Sequence, residues 1–290
     1  MMKKINDIIG DAKTIGIAGH LRPDGDCMGS CMSLYNYLKK NRPDLDVRVF
    51  LEFVDKKFNI IENTDQIITT GYDGTKFDLF ISLDTASLDR LGLNLPFYEN
   101  AKRTACIDHH ASNDGYADYN YILPKASSAS EVLYDLLDED LIDKSIAEPM
   151  YMGIAHDSGV FRFQSTTPKT MRIAANMIEK GVNVNMILEE TFFRKTYNQM
   201  MVTAKIQSEA VLALDGKCIY GYCTSEMMEE YGVTTKDLDA VVASIRNVDG
   251  VEVAMFLYQL SEDSYKVSLR SKNYVDVSKI AVENGGGGHV

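Results

Sequence analysis

ArgThrAlaCysIleAspHisHis, residues 103–110, is an apolar strand pattern that ends in three potential metal or proton ligands. Unpaired polar groups at the end of a buried strand cost kilocalories, so Asp108, His109 and His110 need partners. Taken alone, the triplet is compatible with a capped turn. Other parts of the chain repeat the pattern. ThrIleGlyIleAlaGly (14–19) runs into His20, PheAspLeuPheIleSerLeuAsp (77–84) ends in Asp84, and an apolar helical stretch ends at His156-Asp157.

Around these ends the chain alternates between two periodicities. ValArgValPheLeuGluPhe (47–53) reads as a further strand, and AspTyrAsnTyrIleLeu (118–123) as an edge strand. Residues 3–12 form a short amphipathic helix. LeuArgProAspGlyAspCysMetGlySer (21–30) is a loop that opens a helix with Leu34 and Leu38 on one face. Asp26 sits where a carboxylate would cap that helix, but capping does not account for His20 and Asp24 as well. Residues 127–137 are helical with a capping box from Ser128 to Glu131. Residues 145–159 form a helix with Pro149 in its first turn, ValPheArgPhe (160–163) a strand, and 167–178 a helix capped by Thr167 with Pro168 behind it.

Alternating strands and helices predict an α/β domain, residues 1–182, with a parallel sheet and helices on both faces. Ligands of open α/β sheets bind outside the carboxyl ends of the strands. His20, Asp84 and Asp108–His110 therefore converge, with Asp24, Asp26 and Asp157 on adjoining loops or helix ends. Residues 183–209 read as a helical connector. Residues 210–290 read as a smaller α/β domain with a mixed sheet. It contains a hairpin of 210–214 and 218–223 around AspGlyLys, helices near 224–231 and 235–246, strands at 251–258 and 264–270, a helix at 276–284, and the closing GlyGlyGlyGlyHis (285–289).

Composition narrows the function classes. The chain has 290 residues and a formal net charge of −12, so a broad surface for long duplex DNA, which is built from cations, is not expected. A small anionic substrate drawn to a local cationic site fits better. The five cysteines form no CxxC pair and read as fillers in a reducing compartment. The N-terminus lacks a signal-peptide apolar region, and no run reaches the roughly 20 apolar residues of a membrane helix. A cytoplasmic protein is the expectation. A dimer is compatible with the sequence.

His20, Asp24, Asp26, Asp84, His109 and Asp157 make an oxygen-rich donor set with some nitrogen and no well-placed thiolate. This suits Mn²⁺, or less selectively Mg²⁺, better than a closed zinc site. Six groups with one bridging carboxylate suit two ions about 3.5–4 Å apart, which activate water and clamp the attacking and leaving oxygens of an in-line displacement. No GlyXaaSerXaaGly elbow, P-loop or GlyXaaGlyXaaXaaGly supports a rival chemistry.

HisLeuArgProAspGlyAspCysMetGlySer (20–30), LeuAspThrAla (83–86), AspHisHis (108–110) and HisAspSerGlyValPheArgPhe (156–163) resemble the four motifs of the DHH phosphoesterases. SerLeuArgSer (268–271), AspValSerLysIleAla (276–281) and the glycine run resemble the C-terminal substrate-binding domain of the subfamily that includes RecJ. Within it the chain is most similar to small enzymes that degrade short oligoribonucleotides and dephosphorylate 3′-phosphoadenosine 5′-phosphate (pAp). The resemblance implies one Mn²⁺ on His20, Asp24 and Asp84 and a second on Asp26, Asp84, His109 and Asp157. It implies that Asp108 orients a ligand and that His110 contacts the scissile phosphate. It also implies that Arg270 with Gly286, Gly287, Gly288 and His289 binds the substrate's far end. His156 stands where many relatives have Thr and is expected to be a neighbour of the site. The chain stops at Val290 inside the glycine-rich motif, so that end of the motif is expected to be incomplete. A cyclic-dinucleotide phosphodiesterase is the alternative, with an inorganic pyrophosphatase or a non-catalytic nucleotide-binding module ranked below it.

Overall fold

The computed structural model describes residues 4–238 and 241–286. It divides into two compact units, Met1–Arg194 and Lys195–Val290. In the first unit the order is α1 (Ile5–Ile9), β1 (Thr14–Ala18), α2 (Gly25–Asn41), β2 (Asp46–Phe50), β3 (Leu79–Leu83), α3 (Leu95–Glu99), β4 (Thr104–Asp108), β5 (Tyr119–Ile122), α4 (Ala129–Leu136), α5 (Lys144–Asp157), α6 (Pro168–Glu179) and α7 (Val184–Leu188). All pairs in its sheet are parallel, in the order β2-β1-β3-β4-β5. Alternate side chains of the apolar strands enter two cores. Ile15, Ile17, Val49, Ile81 and Ile107 pack on one face with Met28, Leu34, Leu133, Met150 and Ile154 of the helices. The other face carries a smaller cluster of Phe50, Phe77, Phe80, Phe97 and Tyr98.

Helices α2 and α5 approach so closely that side chains are excluded between them. A Cβ on Gly29 would lie 2.4 Å from the Pro149 carbonyl oxygen and 2.8 Å from Gly153 Cα. Both neighbours are backbone and cannot swing aside. Gly29→Ala is expected to destabilise the first unit by about 1–3 kcal/mol, the usual cost of overpacking, as read by urea unfolding. An unchanged midpoint would show that the helices separate freely.

Three local expectations are corrected. Asp143 caps α5, with its carboxylate accepting the Ile146 N–H, so Pro149 lies inside the helix rather than in its first turn. A proline there leaves the carbonyl four residues earlier without its helical donor. Asn36 of α2 supplies one, its Nδ2 donating to Ser145 O at 2.8 Å. Residues 160–163 are a turn, not a strand. Gly159, Val160 and Phe161 all have positive φ, and Ser158 gathers the chain by accepting the Phe161 N–H on Oγ. At α4 the Ser128 hydroxyl accepts the Glu131 N–H, but the Glu131 carboxylate turns to Ser127 and to Thr170 Oγ1, so the box is not reciprocal.

The second unit holds α8 (Tyr197–Glu209), β6 (Val211–Ala213), β7 (Cys218–Cys223), α9 (Ser225–Tyr231), α10 (Val241–Arg246), β8 (Val253–Ser261), β9 (Ser264–Ser271) and α11 (Val277–Glu283). The 183–209 stretch is thus divided, with α7 in the first unit and α8 in the second. The sheet order is β6-β7-β8-β9, mixed, with only β7 and β8 parallel. Its core contains Val202, Ile206, Ile219, Val242, Ile245, Ala254 and Phe256.

Candidate active site

In the first sheet β2 lies on one side of β1 and β3 on the other, so the winding reverses between β1 and β3. A crevice opens at such a reversal, at the carboxyl ends of the two strands. His20 follows β1 and Asp84 follows β3 directly. Asp84 holds a left-handed backbone, φ 51°, a conformation uncommon outside glycine and found at functional sites. Asp108 ends β4, His109 and His110 follow, and Asp157 is the last residue of α5.

The two oxygens of Asp84 face different partners. Oδ2 lies 3.5 Å from His20 Nε2, which is itself 3.7 Å from Asp24 Oδ2. Oδ1 lies 3.5 Å from His109 Nε2, which is 3.2 Å from Asp157 Oδ2. Asp26, His109 and Asp157 form one compact donor group, and Asp84, His109 and His110 another. Donor separations just above 3 Å are those of adjacent ligands around an ion with bonds of about 2.1 Å. The donor set therefore fits divalent cations. His20 Nδ1 donates to Leu21 O at 2.7 Å, leaving Nε2 turned to the carboxylates, the second-sphere arrangement usual for a ligating imidazole.

The cap of α2 is Asp24, whose side chain accepts the Asp26 and Cys27 N–H groups. Asp26, expected as a metal ligand with helix capping as its alternative role, lies fully buried in the first turn. It accepts the Ala129 N–H at 2.6 Å and the Ser130 N–H at 3.0 Å, clasping the start of α4. Asp108 supports His110. Its Oδ1 is 2.8 Å from His110 Nδ1, and its Oδ2 accepts from Asn113 Nδ2 at 2.7 Å. Asn113 also donates to Thr85 O, tying the β3 and β4 loops together.

Crowded carboxylates set the electrostatics. Burial, reinforced by Asp84, raises Asp26 to about 7, and burial with Asp26 pushes Asp157 up. Burial acts on Asp84 in the same sense, but hydrogen bonds to His109 and His20 outweigh it and hold Asp84 below the usual carboxylate range. Burial opposes charge on His109, yet Asp84, Asp157 and Asp26 raise it to about 10. His20 also rises against burial, beside Cys27, Asp24 and Asp84. Protonated imidazoles thus supply the positive charge of the cluster. A metal can take an imidazole nitrogen only after its proton leaves. Uptake of a divalent ion at pH 7 is therefore expected to release protons, and apparent affinity to rise with pH below the raised imidazole values. Calorimetry in buffers of different ionisation enthalpy measures this, and buffer-independent heats would contradict it.

Other neighbours sort by chemistry. Cys27, set aside as a filler, shares a donor group with His20 and Asp84, but burial pushes its thiol well up, against thiolate ligation. His156 turns from the cluster: Nε2 is 2.8 Å from Thr191 Oγ1, and burial lowers it to about 4. Arg90, which sequence reasoning passed over, brings Nη2 to 3.3 Å from His20 Nδ1. No periodicity marks Arg90 or Asn113; the AspHisHisAlaSerAsn spacing was the one available signal for Asn113. In the second unit Arg270 is exposed on β9 and donates to Leu269 O. Gly286 is exposed, its N–H on Ala281 O. Gly287, Gly288 and His289 lie outside the described residues.

An acid-rich crevice at a sheet reversal, with paired donor groups and a supported histidine beside them, defines a metal-dependent hydrolase. The chain belongs to the DHH phosphoesterase family. A family model described as the DHH family, N-terminal domain, matches residues 14–154, and one described as the DHHA1 domain matches 215–290. The bifunctional oligoribonuclease and PAP phosphatase NrnA of Thermus thermophilus is 32% identical over 286 residues, covering 95% of this chain and 82% of its own length. The protein of the same name from Bacillus subtilis is 27% identical over 281 residues, covering 95% and 87%. The crystal structure of an exopolyphosphatase-related protein from Bacteroides fragilis superposes with a TM-score of 0.88 at 22% identity, covering 98% of this chain and 87% of that one. Among the described residues no helix is long and apolar enough to cross a membrane.

Proposed function

We propose that the chain is a Mn²⁺-dependent phosphoesterase that hydrolyses short oligoribonucleotides, linear dinucleotides such as pApA, and pAp. The observation that carries the two-ion form of this reading is the division of Asp84, one oxygen toward His20 and Asp24 and the other toward His109 and Asp157. His20, Asp24 and Asp84 would hold one ion, and Asp26, Asp84, His109 and Asp157 the other. When bound, such a pair activates water and neutralises charge on the phosphoryl group. His110, held through Nδ1 by Asp108, presents Nε2 to the scissile phosphate and stabilises the developing charge. Arg270 of the second unit is suited to a bidentate phosphate grip and, with Gly286, Gly287, Gly288 and His289, is that unit's candidate phosphate-binding group. The NrnA relatives, named for both activities, support the substrate class.

The test is a parallel panel with Mn²⁺ or Mg²⁺: pApA, a pentaribonucleotide, a long RNA, pAp and cyclic di-AMP. Rapid release of mononucleotides from pApA and of phosphate from pAp, with long RNA and cyclic di-AMP spared, is the expected result. Preferential opening of cyclic di-AMP would replace the proposal with the cyclic-dinucleotide reading.

A further inference from the structure

Behind the donor cluster lies an aromatic arrangement that the hydrolytic chemistry does not use. Residues Glu189–Phe193 form a π-helical turn, a rare form that tends to occur at functional sites. Within it Thr191 points inward, buried, its hydroxyl donating to Ile187 O at 2.7 Å and meeting His156 Nε2 at 2.8 Å. The same turn leaves Phe192 and Phe193 37% and 49% exposed, with ring centroids 5.2 Å apart.

Phe192 is linked to the donor cluster by two contacts. Its ring stands edge-on to His156, with centroids 5.2 Å apart and planes at 84°. His156 rests on the backbone of Gly25: a Cβ there would lie 2.1 Å from His156 Cγ. Gly25 separates Asp24 from Asp26. Phe58 also packs against His156 at 5.9 Å, and Lys57 lies over the Phe58 ring at 5.0 Å. A fixed histidine therefore carries an exposed aromatic ring one side chain away from the candidate metal ligands, with a cation nearby in a strongly acidic chain. An exposed aromatic ring one side chain from candidate metal ligands is the chemistry that receives the base of a nucleotide bound there.

We infer that Phe192, propped by His156 and Thr191, is a stacking platform for the base of the nucleotide whose phosphate occupies the Asp24–Asp26–Asp84 cluster. This deepens the phosphoesterase reading and rests on it. The ligand class is a nucleoside 5′-phosphate. Stacking on one ring recognises any base by its flat face and makes no sequence-specific hydrogen bond, so the platform favours nucleotides over other phosphate esters without choosing among bases.

The experiment compares AMP with ribose 5-phosphate on the Mn²⁺-loaded full chain by calorimetry, for wild type, Phe192→Leu and Phe192→Tyr. Leucine keeps an apolar side chain but removes the flat ring; tyrosine keeps the ring. Wild type should bind AMP more tightly than ribose 5-phosphate. Phe192→Leu should weaken AMP by about five- to hundredfold without changing ribose 5-phosphate, and Phe192→Tyr should restore AMP. An AMP to ribose 5-phosphate ratio that is unchanged in Phe192→Leu, or absent in wild type, overturns the inference. Melting curves of the three proteins show whether leucine acts through the fold, and an equal loss for both ligands counts against the platform. The same preparations are assayed on pApA. Failure of wild type to cleave it sinks the phosphoesterase reading separately, because the binding ratio is read without turnover.

Discussion

Asp84→Asn should reduce pApA hydrolysis by on the order of 10³-fold or more while the far-UV circular dichroism stays that of the wild type. The substitution keeps shape and volume, so the left-handed turn after β3 is retained. What it removes is the charge that both imidazoles face, His20 through Oδ2 and His109 through Oδ1. An amide offers one weaker oxygen donor and an N–H₂ group that repels a cation. Both halves of the cluster lose affinity together, and several kilocalories of charge stabilisation in the transition state correspond to about a thousandfold or more in rate. Mn²⁺ stoichiometry, measured after desalting, should fall from two per chain to one or fewer. Turnover near that of the wild type, or retention of two ions, would refute the bridging role. Substitution at Asp24, which is exposed and whose Oδ2 faces His20, should leave one ion in place.

The second large effect is expected at His110. His110→Ala should lower kcat by about 10²–10⁴-fold, the span for removing a positioned acid–base or charge-stabilising group, and should leave two Mn²⁺ bound. The geometry separates this role from ligation. His110 Nδ1 is taken by Asp108 at 2.8 Å, and Asp108 is fully buried with its other oxygen held by Asn113. The ring thus has its Nδ1 edge anchored by Asp108. Asp108→Asn should act in the same direction with a smaller loss, since an amide can still hold the ring but cannot stabilise its charged form. A loss of bound metal in His110→Ala would instead make His110 a ligand, an assignment its grouping with Asp84 and His109 allows.

Much of this architecture is legible in the sequence because buried parallel strands are short apolar runs, and Thr14–Ala18, Leu79–Leu83 and Thr104–Asp108 are followed at once by polar residues that a core would reject. Thr167 and Pro168 announce α6 through a cap hydroxyl and a fixed φ. ValPheArgPhe misled because alternation of apolar and polar residues is also compatible with a turn, and the three positive φ angles at 159–161 depend on how α5 ends against its own Ser158. Asp26 is legible as a candidate donor, but its backbone partners are not. Local sequence offers a carboxylate near a helix start, and only the tertiary fold shows that the helix it serves is α4 and not its own. Arg90 reaches the site from a 3-10 helical segment, Leu88–Asn94, and Asn113 from a loop, and neither is long enough for a repeat of side-chain type to record which way a residue faces.

Asp26 accepts backbone hydrogens from residues 103 and 104 positions further along the chain. During synthesis this carboxylate leaves the ribosome long before the α4 start that will hold it. Asp157, at the end of α5, emerges later still. Closing so long a loop is an entropic cost met only when the helices dock together. The donor set is therefore complete only once Asp157 has emerged and the helices have docked. Fragments that stop short of residue 157 carry the first motifs as a loose set of acids and imidazoles, and the complete centre arises in the same step that consolidates the first unit.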